Sequence, residues 1–250
     1  MPGVKLVTVK SEALRQRVDL TLFCPELICG MIDVPIVILL HGVYGSHWAW
    51  TLKGEAHVTC QRLISQKKIS LCVLAMPSDG LWGDGSGYLK HPHQDFEKWI
   101  VDEVPAVVSE VVPECSENSS RFIAGLSMGG FGALRLGAKY GSLFSGISGH
   151  SSITHFDQID QFVEEGLESY KVSDEDHSVE KTMERSRHKL PPIRFDCGRE
   201  DSLLPENRKL HQALKNLGIE HDYSEFPGGY EWTYWEEHLQ DTLMFFLGCD

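Results

Sequence analysis

Apolar and polar residues alternate near the start of the chain, and shorter, uninterrupted apolar runs follow. The alternation over residues 4–9 and 16–23 predicts two antiparallel strands. Continuous apolar runs at residues 36–40 and 70–75 predict strands buried on both faces, as in a parallel sheet. Further strands are predicted at residues 122–124, 143–148, 193–197 and 220–226.

Segments with helical periodicity separate these strands. They predict helices over residues 55–66, 94–112 (broken at Pro105), 203–217 and 232–246, and a further helix directly after Ser127. This alternation predicts one α/β domain over residues 1–250, with a mostly parallel sheet, antiparallel N-terminal strands and helices on both faces.

Residues 153–190 differ from the rest, because they are polar and acidic and have no strand pattern. Their place between two late strands predicts a small helical insertion that caps a site. The alternative is a solvated helical segment that does not contact substrate.

Composition narrows the possible partners. The 250 residues are 42% hydrophobic, enough for one sizeable core. With 23 basic and 36 acidic residues the net charge is −13, which disfavours nucleic acid and anionic membranes as partners. No stretch has the apolar pattern of a signal peptide or a membrane span, so we expect a cytoplasmic protein. A homodimer is a further expectation, although no feature of the sequence specifies it.

Seven cysteines are scattered along the chain without paired CxxC spacing. This favours reduced, mostly buried thiols over a disulfide framework or a zinc site. No metal and no cofactor is therefore predicted.

The stretch Gly125-Leu126-Ser127-Met128-Gly129 is the candidate catalytic motif. A short apolar run precedes it and a helix-forming stretch follows, which is the strand–turn–helix context of a nucleophile elbow. Small residues two positions before and after the serine allow the tight turn that exposes its hydroxyl. The N-terminus of the following helix would stabilise the negative charge that develops during acyl transfer.

A nucleophilic serine needs a base, and the base needs an acid that orients it. Asp201 is the candidate acid, since it follows the predicted strand at 193–197; Glu200 is its neighbour and rival. Asp201 has an alternative role as the N-cap of the next helix. The histidine expected after the last strand is absent, and that segment instead contains Tyr230 and Trp232.

The chain resembles an esterase family of the α/β-hydrolases, which includes S-formylglutathione hydrolases, tributyrin and feruloyl esterases and mycolyltransferases. The resemblance covers nearly the whole chain. It rests on the setting of Ser127, on His41-Gly42, Met76-Pro77-Ser78 and Cys197-Gly198-x-x-Asp201, and on the tail Glu225-Phe226-Pro227-Gly228-Gly229-x-x-Trp232-x-x-Trp235. It implies an α/β-hydrolase fold, Ser127 as nucleophile, Asp201 as acid, and the backbone N–H groups of Val43 and Met128 as oxyanion hole.

The family has its catalytic histidine where this chain has Tyr230, and three interpretations are open. Tyr230 is a natural or introduced replacement in an ordinary esterase fold, or another histidine is the base, or the phenol itself accepts the proton. His150 is the best placed of the other histidines, because it follows the strand after the elbow; His221 and His238 are weaker candidates. A phenol, with an ordinary pKa of about 10, is a poor base near neutral pH.

Residues of the predicted active-site loops are candidates for substrate binding. Gly42 permits close approach of the backbone to a ligand. Trp48, Trp82 and Trp232 would line an apolar acyl pocket, with His150 at the sheet edge; the alternative is that the tryptophans only complete the packing.

The leading interpretation is a serine-dependent hydrolase of small carboxylic esters or thioesters, impaired because Tyr230 occupies the position of the base. The alternatives are a catalytically silent hydrolase fold that binds a ligand or partner, and an acyltransferase that uses the same serine.

Overall fold

Eight strands form one sheet in the computed structural model, which describes residues 3–170 and 172–249. Their order across the sheet is β1-β2-β4-β3-β5-β6-β7-β8. β2 pairs antiparallel with β1 and β4, and β3 to β8 are parallel, which confirms the predicted mixed sheet. The strands are β1 (Val4–Ser11), β2 (Gln16–Phe23), β3 (Ile36–Leu40), β4 (Val73–Pro77), β5 (Arg121–Leu126), β6 (Gly146–His150), β7 (Ile193–Gly198) and β8 (Asp222–Phe226).

Helices connect the parallel strands. They are α1 (Ala49–Leu52), α2 (Ala56–Ser65), α3 (Phe96–Lys98), α4 (Val104–Val111), α5 (Met128–Lys139), α6 (Val179–Arg185), α7 (Leu204–Asn216) and α8 (Trp232–Leu247).

Burial on both faces explains the uninterrupted apolar runs. Ile36, Ile38 and Leu40 of β3 pack into one core cluster, while Val37 and Leu39 between them pack into a second cluster. Because successive side chains of a strand point to opposite faces, β3 must be apolar at every position.

Two strands begin three residues later than predicted. β4 begins at Val73 and not at residue 70, because the Ser70 N–H donates to the Leu247 carbonyl at the end of α8. β6 begins at Gly146 and not at residue 143, because Gly141–Leu143 form a 3₁₀ turn.

The predicted break at Pro105 is also wrong. A π-helical turn, Trp99–Glu103, joins α3 to α4, and Pro105 lies in the first turn of α4. Proline cannot supply the N–H that a continuous helix uses at this position, and the helix continues through it with a π-helical turn directly before it.

The segment 153–190 connects β6 to β7. Its described part contains two 3₁₀ turns, Phe156–Gln161 and Leu167–Ser169, followed by α6. An isolated antiparallel bridge between His155 and Ser178 closes the loop that holds the two turns. We call residues 156–170 and 172–176 the flap.

Among the described residues, no helix is both long and apolar enough to cross a membrane.

The turn between β5 and α5 passes very close to β3. A Cβ atom built on Gly129 would lie 2.5 Å from the His41 carbonyl oxygen and closer still to that of Leu40. Both neighbours are backbone atoms and cannot rotate away. The turn therefore requires a residue without a side chain at this position.

Replacing Gly129 with alanine should lower the melting temperature by about 5 °C or more, because the added methyl group must push β3 and α5 apart. Gly229→Ala is the matched control, since a Cβ there meets no atom closer than 3.6 Å. Thermal unfolding followed by circular dichroism measures both. Equal melting temperatures for the two variants would contradict the close packing of the turn.

Candidate active site

Ser127 lies at the apex of the turn between β5 and α5. Its φ of 55° and ψ of −118° are unusual for a residue with a side chain. Hydrogen bonds fix this backbone: the Ser127 N–H donates to the His150 carbonyl (3.0 Å), and the Ser127 carbonyl accepts from Phe131 (3.0 Å) and Ile153 (3.2 Å). The strained turn is therefore held from α5 and from the segment after β6.

Tyr230 covers the Ser127 hydroxyl. It follows β8 by four residues, and its phenolic oxygen forms a short hydrogen bond with Ser127 Oγ. The Tyr230 ring stacks on Phe162 of the flap, with centroids 5.6 Å apart, and meets the edge of Trp235 of α8 at 4.9 Å. Ser127 is fully buried, so substrate must displace part of this cover to reach the serine.

The pKa of Tyr230 is raised above its ordinary value of 10. Burial is the main cause, the negative charge of Asp201 adds to it, and the hydrogen bond from Ser127 acts in the opposite direction. Tyr230 is therefore a neutral phenol at physiological pH. It can share a hydrogen bond with the serine but has no vacant site for the serine's proton.

Asp201 is buried, with 5% of its surface exposed, and its two carboxylate oxygens have different roles. Oδ1 accepts a hydrogen bond from the Leu203 N–H at 2.7 Å, so the predicted capping role applies to the turn that enters α7. Oδ2 is buried and, apart from the neighbouring Cys197 thiol, has no hydrogen-bond partner among the described residues. A buried carboxylate oxygen without a strong hydrogen-bond donor destabilises the folded state, so this atom would gain from a donor placed beside it.

Backbone contacts bring the loops after β7 and β8 together. The Glu200 N–H donates to the Gly228 carbonyl at 3.1 Å, and the Gly228 N–H donates to the Glu200 carboxylate at 2.6 Å. Glu200, the rival for the acid, thus holds the turn that precedes Tyr230. This pairing sets Asp201 and Tyr230 on the same side of the sheet edge.

The loop after β3 lies against the serine turn, because a Cβ atom built on Gly42 would lie 3.2 Å from Ser127 Cβ. His41 holds this loop: its Nδ1 donates to the Gly42 carbonyl (2.7 Å), and its Nε2 accepts from the Asp79 N–H (3.1 Å). Among the described residues, neither the Val43 N–H nor the Met128 N–H donates to an acceptor in the protein.

A cleft of about 320 Å³ opens between the loop after β3 and the start of α8. Five predicted site residues line it: Gly42, Val43, Trp48, Tyr230 and Trp232. Trp82 does not line the cleft; its ring packs against His91 (4.5 Å) and Tyr170 (4.9 Å). Its predicted contact with substrate is therefore not supported by its position.

His150 is fully buried and does not line the cleft. Its Nδ1 lies 3.0 Å from Asp196, and its Nε2 lies 3.0 Å from the Thr242 hydroxyl. With both ring nitrogens bonded, His150 is not placed to act as base or to touch substrate. Arg194 and Tyr234 complete this buried network by donating hydrogen bonds to Asp196.

The other two histidines have partners of their own. His221 bonds His211 at 2.8 Å, and His238 stacks on Phe226 and bonds Asp241 at 2.9 Å. Within the described ranges, no histidine nitrogen forms a hydrogen bond with Ser127.

Phe162 is a site residue that the sequence pattern did not reveal. It stacks on Tyr230 from a polar, acidic segment in which it is one of few aromatic residues. The flap also contacts the glycine-rich loop after β4: Glu165 accepts a hydrogen bond from the Asp84 N–H (3.2 Å), and the Tyr170 hydroxyl donates to the Gly85 carbonyl (2.8 Å). An aromatic residue within a polar, acidic segment is the one feature of the sequence that could have indicated this contact.

Comparisons with known proteins agree on the fold. Residues 11–246 match the protein family described as "Putative esterase". An acetyl esterase from Caldicellulosiruptor saccharolyticus is 29% identical over 230 residues, covering 84% of this chain and 82% of that protein.

Two solved structures illustrate the structural similarity. The fluorophosphonate-binding serine hydrolase F of Staphylococcus aureus has a TM-score of 0.84 at 17% identity, over 98% of both chains. An S-formylglutathione hydrolase from Agrobacterium tumefaciens has a TM-score of 0.81 at 20% identity, over 98% of this chain and 95% of that one. The predicted α/β-hydrolase fold is confirmed.

The Asp196 network predicts a pH dependence of stability. Burial would raise the pKa of Asp196, but His150, Arg194 and Tyr234 outweigh it and lower the pKa to about 2. The contribution is present above the unfolded pKa of about 3.9 and is lost as the pH falls towards 2. Asp196→Asn should therefore lower the melting temperature at pH 7, and the deficit should shrink between about pH 4 and pH 2.

Melting temperatures at pH 7, 4, 3 and 2 test this prediction. Asp102→Asn is the control, because Asp102 is exposed and should show no deficit at any pH. A deficit for Asp196→Asn that stays constant with pH would contradict the assignment of the low pKa.

Proposed function

Because the chain belongs to the family described as "Putative esterase", we propose that it hydrolyses small carboxylic esters or thioesters through Ser127, at a rate limited by Tyr230. Membership of the family makes the protein an esterase. The proposal concerns the residues that carry the reaction and the efficiency of the reaction.

Ser127, at the nucleophile elbow, would attack the carbonyl carbon of the ester. The negative charge that forms on the carbonyl oxygen would be held by the N–H groups of Val43 and Met128, which have no acceptor among the described residues. The N-terminus of α5 adds favourable dipole potential at the same place. These groups act without a base, so they support residual catalysis even where proton transfer is poor.

The hydrogen bond between Ser127 Oγ and the Tyr230 hydroxyl is the observation that carries the proposal. It shows which side chain meets the serine, and that side chain has a pKa above 10. Removal of the serine's proton by Tyr230 is therefore unfavourable near neutral pH. We infer slow hydrolysis together with intact substrate binding.

Asp201 supports the same interpretation from the acid side. In a serine triad the acid bonds a base that bridges it to the serine. Tyr230 has one polar atom, and that atom is engaged with Ser127. Asp201 Oδ2 is therefore left with no partner other than the Cys197 thiol. An imidazole has two nitrogens and could bond both groups.

The cleft supports a small substrate. Its volume of about 320 Å³ lies at the lower end of the range for ligand pockets. Trp48 and Trp232 supply apolar walls, and the flap closes the site through Phe162. These contacts favour a capping role for the segment 153–190.

A catalytically silent, ligand-binding hydrolase fold is the second candidate, favoured by the complete burial of Ser127 beneath Tyr230. Acyl transfer to an acceptor other than water would use the same serine, and product analysis with competing alcohols would identify it.

We propose a cytoplasmic location on the strength of seven unpaired cysteines, all within the described ranges. The expected homodimer stays a prediction.

Replacing Tyr230 with histidine should raise kcat/KM for p-nitrophenyl acetate by about 100-fold or more, because imidazole can accept the serine's proton near pH 7. The change should be in kcat more than in KM, since the cleft walls are unaltered. Steady-state kinetics at pH 7.5 measure it.

Two further variants make this result specific. Tyr230→Phe is the matched control and should not gain activity, because phenylalanine removes the hydroxyl without supplying a base. Asp201→Asn should reduce the rate strongly in the Tyr230→His background and only slightly in the parent chain. An unchanged rate for Tyr230→His would show that hydrolysis does not use this position as its base.

A fluorophosphonate probe separates slow hydrolysis from a silent fold. We expect slow but complete labelling of the parent chain at Ser127, faster labelling of Tyr230→His, and none of Ser127→Ala. Intact-protein mass spectrometry over time gives the rates. No labelling of the parent chain after prolonged incubation would favour the silent fold.

A further inference from the structure

Two histidines and an aspartate meet at the base of the flap, away from the cleft. His155 Nδ1 lies 3.3 Å from Asp157 Oδ2, His177 Nε2 lies 3.4 Å from Asp157 Oδ1, and His155 Nε2 lies 3.2 Å from His177 Nδ1. We call these three residues the His–Asp cluster. One candidate ligand atom from each residue lies within 4.8 Å of those of the other two.

The backbone holds the cluster together. His155 lies opposite Ser178 in the isolated bridge, and the Phe156 N–H donates to the His177 carbonyl at 2.8 Å. The two imidazole rings meet edge to face, with centroids 4.6 Å apart. Asp157 follows two residues after His155 in the first 3₁₀ turn. Two of the three side chains are thus brought together by main-chain hydrogen bonds.

The chemistry of these side chains suits a transition metal. Two imidazoles and one carboxylate form a common donor set for zinc, with bond lengths of about 2.0–2.2 Å and a tetrahedral arrangement. Such bonds place neighbouring ligand atoms about 3.3 Å apart. With one ligand atom taken from each residue, the three atoms lie within 4.8 Å of one another. Binding therefore requires them to approach by up to about 1.5 Å, which rotation of the exposed Asp157 side chain allows.

The exposure of the cluster allows a metal to enter. The His155 side chain is 41% exposed, so solvent and ions can reach it.

We propose that the His–Asp cluster binds one Zn²⁺ ion, which clips the two ends of the flap together. His155 directly precedes the flap, Asp157 lies in its first turn, and His177 directly follows it. Between them the flap carries Phe162, which stacks on Tyr230, and Tyr170, which donates to the loop after β4. An ion at the base would restrict the motion of the segment that covers Ser127. This site is independent of whether Tyr230 limits hydrolysis.

Isothermal titration of the chelator-treated full chain with zinc chloride tests the site. We expect one equivalent to bind, and His177→Ala to weaken binding by more than about tenfold, since it removes a direct ligand. Asp157→Asn should also weaken it. Addition of Co²⁺ should give the intense visible absorption of a tetrahedral site in the parent chain and not in His177→Ala.

Two controls locate the ion. His93→Ala removes an exposed histidine that belongs to no cluster, and His211→Ala removes one member of the other histidine pair. Both should bind zinc as the parent does. Equal zinc affinity in the parent and His177→Ala, or loss of binding in His211→Ala, would overturn the site.

Hydrogen exchange tests the clip itself. Zinc should slow amide exchange in residues 156–170 of the parent chain and leave it unchanged in His177→Ala. Binding of one zinc ion without slower exchange in this range would overturn the proposed clip.

Discussion

The positive φ of Ser127 is the constraint on which the rest of the site depends. A residue with a side chain adopts this conformation at a cost of about 1–3 kcal/mol, so the surroundings must hold it there. Gly129 lets the turn press against the carbonyls of β3, and the backbone of His150 fixes the turn from β6. The geometry of the turn therefore comes from the packing of the sheet and does not depend on the residue at position 230.

The site differs from a serine triad at the position of the base, which is occupied by a tyrosine. The hydroxyl of Tyr230 meets Ser127. Asp201 keeps a buried oxygen with no partner among the described residues other than the Cys197 thiol. An unsatisfied buried acceptor costs about 1–3 kcal/mol, and more when charged. Asp201 Oδ1 caps the turn into α7, which gives this oxygen a structural role, but it does not account for Oδ2. A ring with two polar atoms at position 230 would satisfy both the serine and the acid.

Much of the fold follows from the order of apolar residues, because burial on both faces of β3 leaves an unbroken apolar run. The positions of Ser127, Asp201 and Tyr230 also follow, since each lies just after a parallel strand and those strand ends meet at one sheet edge. The contacts that each side chain makes cannot be predicted from the order of apolar residues. His150 occupies a suitable strand end, yet Asp196 and Thr242 bond both of its nitrogens. Trp82 packs against His91 and Tyr170 and not in the cleft, and Phe162, for which no role was predicted, stacks on Tyr230, because loop conformation decides which ring an aromatic residue meets.

The flap contacts the cover of the strained turn, because its Phe162 stacks on Tyr230. Ser127 has no exposed surface, so any substrate needs Tyr230 or Phe162 to move. Phe162 belongs to a loop closed by a single isolated bridge at His155 and held to the core by Glu165 and Tyr170. Few backbone hydrogen bonds secure such a segment, and segments of this kind open at lower free energy than the core. Because Phe162 stacks on Tyr230, a group that stiffens the base of the flap would act on the cover of the nucleophile without touching it.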